Sequence, residues 1–126
     1  GEIPGRINGV IISMDKGKST AYSIEKLQDR GRFFIDPTED VYMGQIIGEA
    51  TRPGDLVVNV TRAKQLTNFR AAGSDDNVRI TPKIDFSLEE AMEYIEKDEY
   101  LEITPKAIRM RKILLDENDR KRAAKN

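Results

Sequence analysis

The sequence contains no cysteine, no histidine and no tryptophan. Without cysteine there are no disulfides and no thiolate nucleophile, without histidine there is no imidazole base, and together the two absences remove the usual zinc constellations. A reducing compartment is compatible with this composition. The first nine residues, GEIPGRING, have neither the basic region and apolar core of a signal peptide nor a span long enough to cross a bilayer. The chain therefore reads as soluble, and its abrupt Gly-Glu-Ile-Pro-Gly opening reads as a piece of something longer. An excess of either charge is also missing: 21 basic and 22 acidic residues leave a formal net charge of -1, which argues against a globally basic nucleic-acid binder. Any such function has to come from an uneven distribution of charge.

That unevenness is present. No carboxylate lies between Asp55 and Asp75, and Thr61 to Arg70 carries Arg62, Lys64 and Arg70 among Thr61, Gln65, Thr67 and Asn68. The window follows a strand-like apolar run, Leu56 to Val60, and ends on Ala71-Ala72-Gly73-Ser74. Such a segment suits a polyanion: Arg62, Lys64 and Arg70 are placed to meet phosphates, leaving Gln65, Thr67 and Asn68 for sugar or base contacts. The competing reading is a solvated loop of ordinary polarity. Elsewhere, Asp85 to Glu102 holds eight acids against Lys97, and Pro105 to Asn126 holds eight bases against Asp116, Glu117 and Asp119.

At 126 residues, 38% of them hydrophobic, the chain is one domain's worth with a modest core. Gly9 to Met14 is a short β-branched run that predicts a buried strand. Ser19 or Thr20 can cap a helix carrying Ala21, Ile24 and Leu27, with Gly31 placed to end it. Phe33 to Ile35 predicts a strand, and so does Val41 to Glu49, with Gly44 and Gly48 marking a bend or bulge. Arg52 to Asp55 is a tight turn, Leu56 to Val60 a further strand, and Asn77 to Thr81 is expected to resume the sheet. The intervening loop is long and anchored at both ends, and excursions of that size inside compact domains tend to be functional. Ser87 to Glu90 is a capping box opening a helix with Leu88, Ala91, Met92 and Ile95 on its apolar face and Glu89, Glu93 and Glu96 outside. Tyr100 to Ile103 and Ile108 to Arg111 alternate with period two and predict a hairpin, with a helix from Pro105 as the competing reading of the second arm. Asp116 to Lys125 predicts a charged terminal helix. These elements give an α+β fold: a small, curled, mostly antiparallel sheet or partial barrel with two to three helices and one long basic loop.

Few motifs carry chemistry. Gly17-Lys18-Ser19 imitates the end of a phosphate-binding loop, but Ile12 stands where the first glycine must be, so the cradle cannot form. The carboxylate pairs Asp75-Asp76 and Glu89-Glu90 read as a cap and a solvated face before they read as metal ligands or an acid and base. Phe33, Phe34 and Tyr42 lie in strands and read as core, whereas Phe69, between Asn68 and Arg70, is a candidate stacker or loop anchor. In the predicted hairpin Arg109 and Arg111 project to one face while Ile108 and Met110 turn inward. With Lys106 and Lys112 they form a candidate second phosphate patch. The alternative is a solvated face that pairs with the acidic helix.

The runs NGVIISMDKG (8–17), AYSIEKLQDRGRFFI (21–35), VYMGQIIGE (41–49), DLVVN with KQLTNFRA (within 55–71) and EYLEITPKAIRMRK (99–112) resemble the BipA/TypA translational GTPases. The resemblance is to the C-terminal domain that distinguishes this family from elongation factor G, and it covers nearly the whole chain. It implies that residues 1–126 are a single C-terminal ribosome-binding domain of a larger cytoplasmic multidomain GTPase. The GTPase domain, with its GTP and magnesium, is then absent from this chain, which would hold no cofactor, no metal and no catalytic residue, and would be a monomer in isolation. It also implies contact of loop 60–74 with large-subunit rRNA and the acceptor end of A-site tRNA, near the peptidyl transferase centre. That role carries over to Arg62, Lys64, Gln65, Leu66, Thr67, Asn68 and Arg70. Val60 stands where the family often has proline, Ala63 where it often has glycine, and Phe69 where it often has a smaller apolar residue. The resemblance further links the family to stress adaptation and ribosome assembly. The alternative function is a protein-interaction module that docks through the acidic helix 87–97 or the basic hairpin 100–112 onto a protein or another domain of the parent. A small hydrolase is disfavoured by the missing histidine and cysteine.

Overall fold

The computed structural model describes residues 8–62, 81–105 and 107–124. Its centre is β1, Val10–Ser13, buried at every position, as a run of Val-Ile-Ile without a polar alternate requires of a strand covered on both faces. β1 lies between β5 (Gln45–Ala50), to which it is antiparallel, and β6 (Leu56–Val58), to which it is parallel. The far edge of β5 is shared. Its first residues pair with β8 (Ile108–Lys112), and its last with β3 (Gly31–Phe33). β8 in turn pairs with β7 (Glu99–Ile103) in the expected hairpin, which gives a six-stranded mixed sheet that stays open rather than closing into a barrel. Gly17–Lys18 (β2) and Asp40–Val41 (β4) form a separate two-stranded ladder.

The insertion of β1 between β5 and β6 depends on the turn at 51–55. The turn crosses the start of β1, and three bonds fasten it there: Gly9 N to Arg52 O (3.0 Å), Ala50 N to Gly9 O (2.9 Å) and Val10 N to Asp55 Oδ1 (3.0 Å). A Cβ on Gly9 would sit 1.9 Å from Gly54 O, so only glycine lets the two backbones pass this closely. The register of β1 against β5 shifts by one residue between Ile11 and Ile12, the bulge anticipated near Gly48. The strand expected over Val41 to Glu49 is in fact two strands. Gly44, at φ 89°, breaks it where its backbone packs under Leu115.

Each face of the sheet has its own helix. α1 (Ala21–Leu27) starts at Thr20, whose hydroxyl accepts from Ser23 N, and passes into a 3-10 turn, Gln28–Arg30, before Gly31. It buries Ile24 against Ile11, Ile47, Val58 and Val60. Covering one such side chain stabilises by about 1.5–3 kcal/mol, and Ile24→Ala would forfeit that and leave a cavity. α2 (Leu88–Tyr94) has the full capping box of Ser87 and Glu90. Its buried face differs from the expected one. Ala91 packs on Val10, Ile12, Ile46 and Met110, with Tyr94 and Ile95 beside it, whereas Met92 is 59% exposed and Leu88 37%. Three rings explain the rotation: Phe34, Phe86 and Tyr94 lie 5.0–5.6 Å apart and pull the Tyr94 side of the helix inward. α3 (Glu117–Ala124) closes the described chain. Of the strand expected over Asn77 to Thr81, residues 77–80 lie outside the described residues, and Thr81 is not in a strand.

Candidate nucleic-acid interface

The acid-free segment leaves the fold from a closely held root. Val60 is fully buried, and its carbonyl accepts from Thr20 N at 2.9 Å. Asn59 Oδ1 turns the chain by accepting from Thr61 N (2.9 Å) and Thr61 Oγ1 (2.7 Å). The carbonyl of Arg62 then receives two hydroxyls from the first turn of α1, Thr20 Oγ1 and Ser23 Oγ. Thr20 therefore has two partners, because it caps the helix and donates to the departing chain at once. The Arg62 side chain is exposed.

The returning end is held by the 3-10 turn that follows this helix and by β3. Thr81 N donates to Gln28 Oε1 (3.0 Å), Arg32 Nη2 donates to Pro82 O (3.0 Å), and Ile84 N donates to Phe33 O (3.0 Å). Lys83 lies among three carboxylates, Asp36 (3.2 Å), Asp85 (3.5 Å) and Glu39 (3.7 Å). Partial burial works to lower its pKa, but the hydrogen bond it donates to Asp36 and the nearby charges outweigh that and hold it above the ordinary lysine value. Both ends of the segment are thus tied to the unit Thr20 to Arg32. The sequence marks Thr20 only as a helix cap and gives Ser23 and Gln28 no role, since none of the three announces a partner about forty to fifty positions away. Of the residues assigned to the loop, only Arg62 falls within the described part; Lys64, Gln65, Leu66, Thr67, Asn68 and Arg70 lie outside it, as do Phe69 and the pair Asp75-Asp76.

The second candidate patch is divided by the structure. Lys106 lies outside the described residues. Arg109 and Arg111 share the outer face of the hairpin with Tyr100 and Glu102, because the register sets Tyr100 opposite Arg111 and Glu102 opposite Arg109. Lys112 is on the other face and is corrected out of the patch. Its side chain is 2% exposed, with Nζ 2.8 Å from Asp55, 2.9 Å from Asp98 and 2.8 Å from the fully buried Glu99. A cation already matched by three carboxylates has no capacity for a phosphate. On the outer face, Tyr42 Oη donates to Glu102. Burial first, then this carboxylate, push the Tyr42 phenol well above its usual range, so it remains a donor. Arg111 Nε lies 3.3 Å from Glu102 Oε2, a charge contact without the alignment of a hydrogen bond. Gly17-Lys18 forms a strand, with Lys18 paired to Asp40 at 3.1 Å, which agrees with rejecting a phosphate-binding loop there. Glu89 and Glu93 on α2, and Glu96 just after it, are exposed, as the acidic outer face requires.

A family model described as the TypA/BipA C-terminal domain matches residues 8–117. The chain is 48% identical over 125 residues to the large ribosomal subunit assembly factor BipA of Bacillus subtilis (strain 168). It is 53% identical over 123 residues to that of Haemophilus influenzae, and 50% over 123 to that of Escherichia coli (strain K12). These matches cover 98–99% of this chain and 20% of each relative, so the chain spans about a fifth of the length of the curated relatives it matches. By family match and by identity alike, the chain belongs to the TypA/BipA family, in the part that forms its C-terminal domain.

Proposed function

We propose that this chain is a ribosome-docking domain with no chemistry of its own, part of a longer translational GTPase whose GTP and magnesium are held by a separate domain. Segment 60–74 meets large-subunit rRNA and the acceptor end of A-site tRNA. Arg62, Lys64 and Arg70 contact phosphates, and Gln65, Leu66, Thr67 and Asn68 contact sugars or bases. The observation that carries this reading is the combination of an acid-free segment bearing three cations with a root fastened to the start of α1 and a return fastened to the turn after it. A cationic segment fastened at both ends pays less ordering entropy on meeting RNA than a free tail would. The names of the relatives, as assembly factors of the large ribosomal subunit, support the partner.

The test is co-sedimentation of the chain with large ribosomal subunits across a salt series. Each phosphate contact releases condensed counterions, so the triple variant Arg62→Ala, Lys64→Ala, Arg70→Ala flattens the log-log salt slope by roughly two to three and weakens binding, with thermal stability nearly unchanged. A triple variant that binds like the parent chain at every salt concentration would end this reading.

A further inference from the structure

The outer face of the β7–β8 hairpin is only partly used by the fold. Its inner face packs Leu101 and Met110 against the α2 side of the core and buries Lys112. On the outer face Tyr100 is 49% exposed, with the Arg111 guanidinium carbon 5.1 Å from its ring centroid. That guanidinium is held in place, since Arg111 Nη1 donates to the carbonyls of Lys112 (3.2 Å) and Ile113 (3.5 Å). The ring therefore lies against a fixed cation and keeps half of its surface open to solvent. Glu102, the face's one carboxylate, is engaged by Tyr42 and Arg111, which limits its repulsion of an anion; Arg109 is opposite it.

This face is also on the same side of the sheet as the root of the acid-free segment. Arg111 pairs with Gln45, and Ile47, two residues further along β5, packs on Ile24 of α1, the helix whose first turn holds the carbonyl of Arg62. A protein anchor would favour an apolar surface here. A half-open ring with two guanidinium groups matches a nucleotide instead: a base has a π-face for the ring, and its phosphate has a charge for the arginine.

We propose that the outer face of the β7–β8 hairpin is a second RNA contact, in which Tyr100 stacks an unpaired nucleobase and Arg109 meets an adjoining phosphate, with Arg111 positioning the ring. The inference goes beyond the reading of segment 60–74 and stands or falls separately from it.

The probe is a fluorescently labelled single-stranded RNA dodecamer of mixed sequence, titrated with the full chain and read by anisotropy at several salt concentrations. Stacking of one base on one ring is worth roughly a tenfold change in affinity. Tyr100→Leu, which keeps an apolar side chain at an exposed strand position, lowers affinity by about that factor. Tyr100→Phe, which keeps the ring, stays within about twofold. Arg109→Ala reduces the salt slope by about one. Combining Tyr100→Leu with the Arg62, Lys64, Arg70 triple variant multiplies the two losses. Equal affinity of Tyr100→Leu and the parent chain, with circular dichroism showing both folded, overturns the proposal. So does a Tyr100→Phe loss as large as that of Tyr100→Leu. Loss of ribosome binding by Tyr100→Leu with unchanged oligonucleotide affinity overturns it in favour of a protein contact.

Discussion

Lys112 Nζ lies 2.8 Å from Glu99 Oε2 with both side chains in the interior, 2% and 0% exposed. The pair joins the end of β8 to the start of β7. Asp55 extends it to the turn over β1, where its other oxygen accepts from Val10 N. Glu99 Oε1 in turn accepts from Glu96 N at 2.9 Å, so the carboxylate has partners on both oxygens. A buried pair of this kind gains little over well-packed apolar residues, but removing one member strands the other charge. Lys112→Met therefore destabilises by about 3–5 kcal/mol in urea unfolding. Adding Glu99→Gln to it costs less than the two single losses together, because the stranded charge is gone. A Lys112→Met chain within 1 kcal/mol of the parent chain would show that the cluster relaxes into water when opened.

The same cluster sets a pH response. Burial works to lower the pKa of Lys112, but the hydrogen bonds it donates to Asp55, Glu99 and Asp98 outweigh it and raise the value above the ordinary 10.5. The folded chain therefore binds this proton more tightly than the unfolded chain. Its contribution is fully present below the ordinary pKa and is lost as pH rises through the folded one. Stability measured from pH 9 to 12 should fall above about 10.5, and fall less steeply in Lys112→Met. Equal slopes in the two proteins would contradict the assignment.

Gly44 and Gly54 make a matched pair, since both have positive φ, 89° and 98°. A Cβ on Gly44 would meet Leu115 Cδ2 at 2.6 Å, whereas one on Gly54 would meet nothing within 4 Å. Gly54→Ala thus carries only the backbone strain, about 1 kcal/mol, and Gly44→Ala carries that plus displacement of Leu115. Thermal melts should rank Gly44→Ala below Gly54→Ala. Leu115→Ala should close only part of the gap between them, because Leu115 Cα, 2.7 Å from the same Cβ, remains.

What could be read in the chain followed the range of the interactions. Thr20 and Ser87 act within three residues of themselves, and both caps are where the sequence puts them. The hairpin 99–112 is also local, and its alternation gives the right register. The direction of that alternation was legible only in part. Period two places Lys112 on the same face as Met110, which is expected to turn inward, but burial of a lysine there depends on carboxylates, one of which, Asp55, is 57 positions away. Likewise no local signal places β1 between β5 and β6, since the contacts that hold the turn across it, Gly9 to Arg52 and Val10 to Asp55, join residues far apart in the chain. The buried face of α2 was set by rings at 34, 86 and 94 rather than by helix periodicity alone.

Thr20 offers a way to separate the fold from the held segment. Its oxygen accepts from Ser23 N as a helix cap, while its hydroxyl proton goes to the Arg62 carbonyl. Aspartate at this position keeps the acceptor, and caps as well as threonine or better, but has no proton to donate. It also sets a carboxylate oxygen against the Arg62 carbonyl, leaving Ser23 Oγ as the remaining hydroxyl on that atom. Thr20→Asp should therefore melt within a few degrees of the parent chain, whereas Thr20→Val, which loses both interactions, should lose about 1–2 kcal/mol. In limited proteolysis the two variants should behave alike, each cut faster than the parent chain between Arg62 and Thr81, because cleavage there reports release of the root rather than global unfolding. If Thr20→Asp is cut no faster than the parent chain, the Ser23 hydroxyl and the Val60 carbonyl bond are enough to hold the root, and the doubled role of Thr20 is a matter of helix capping alone.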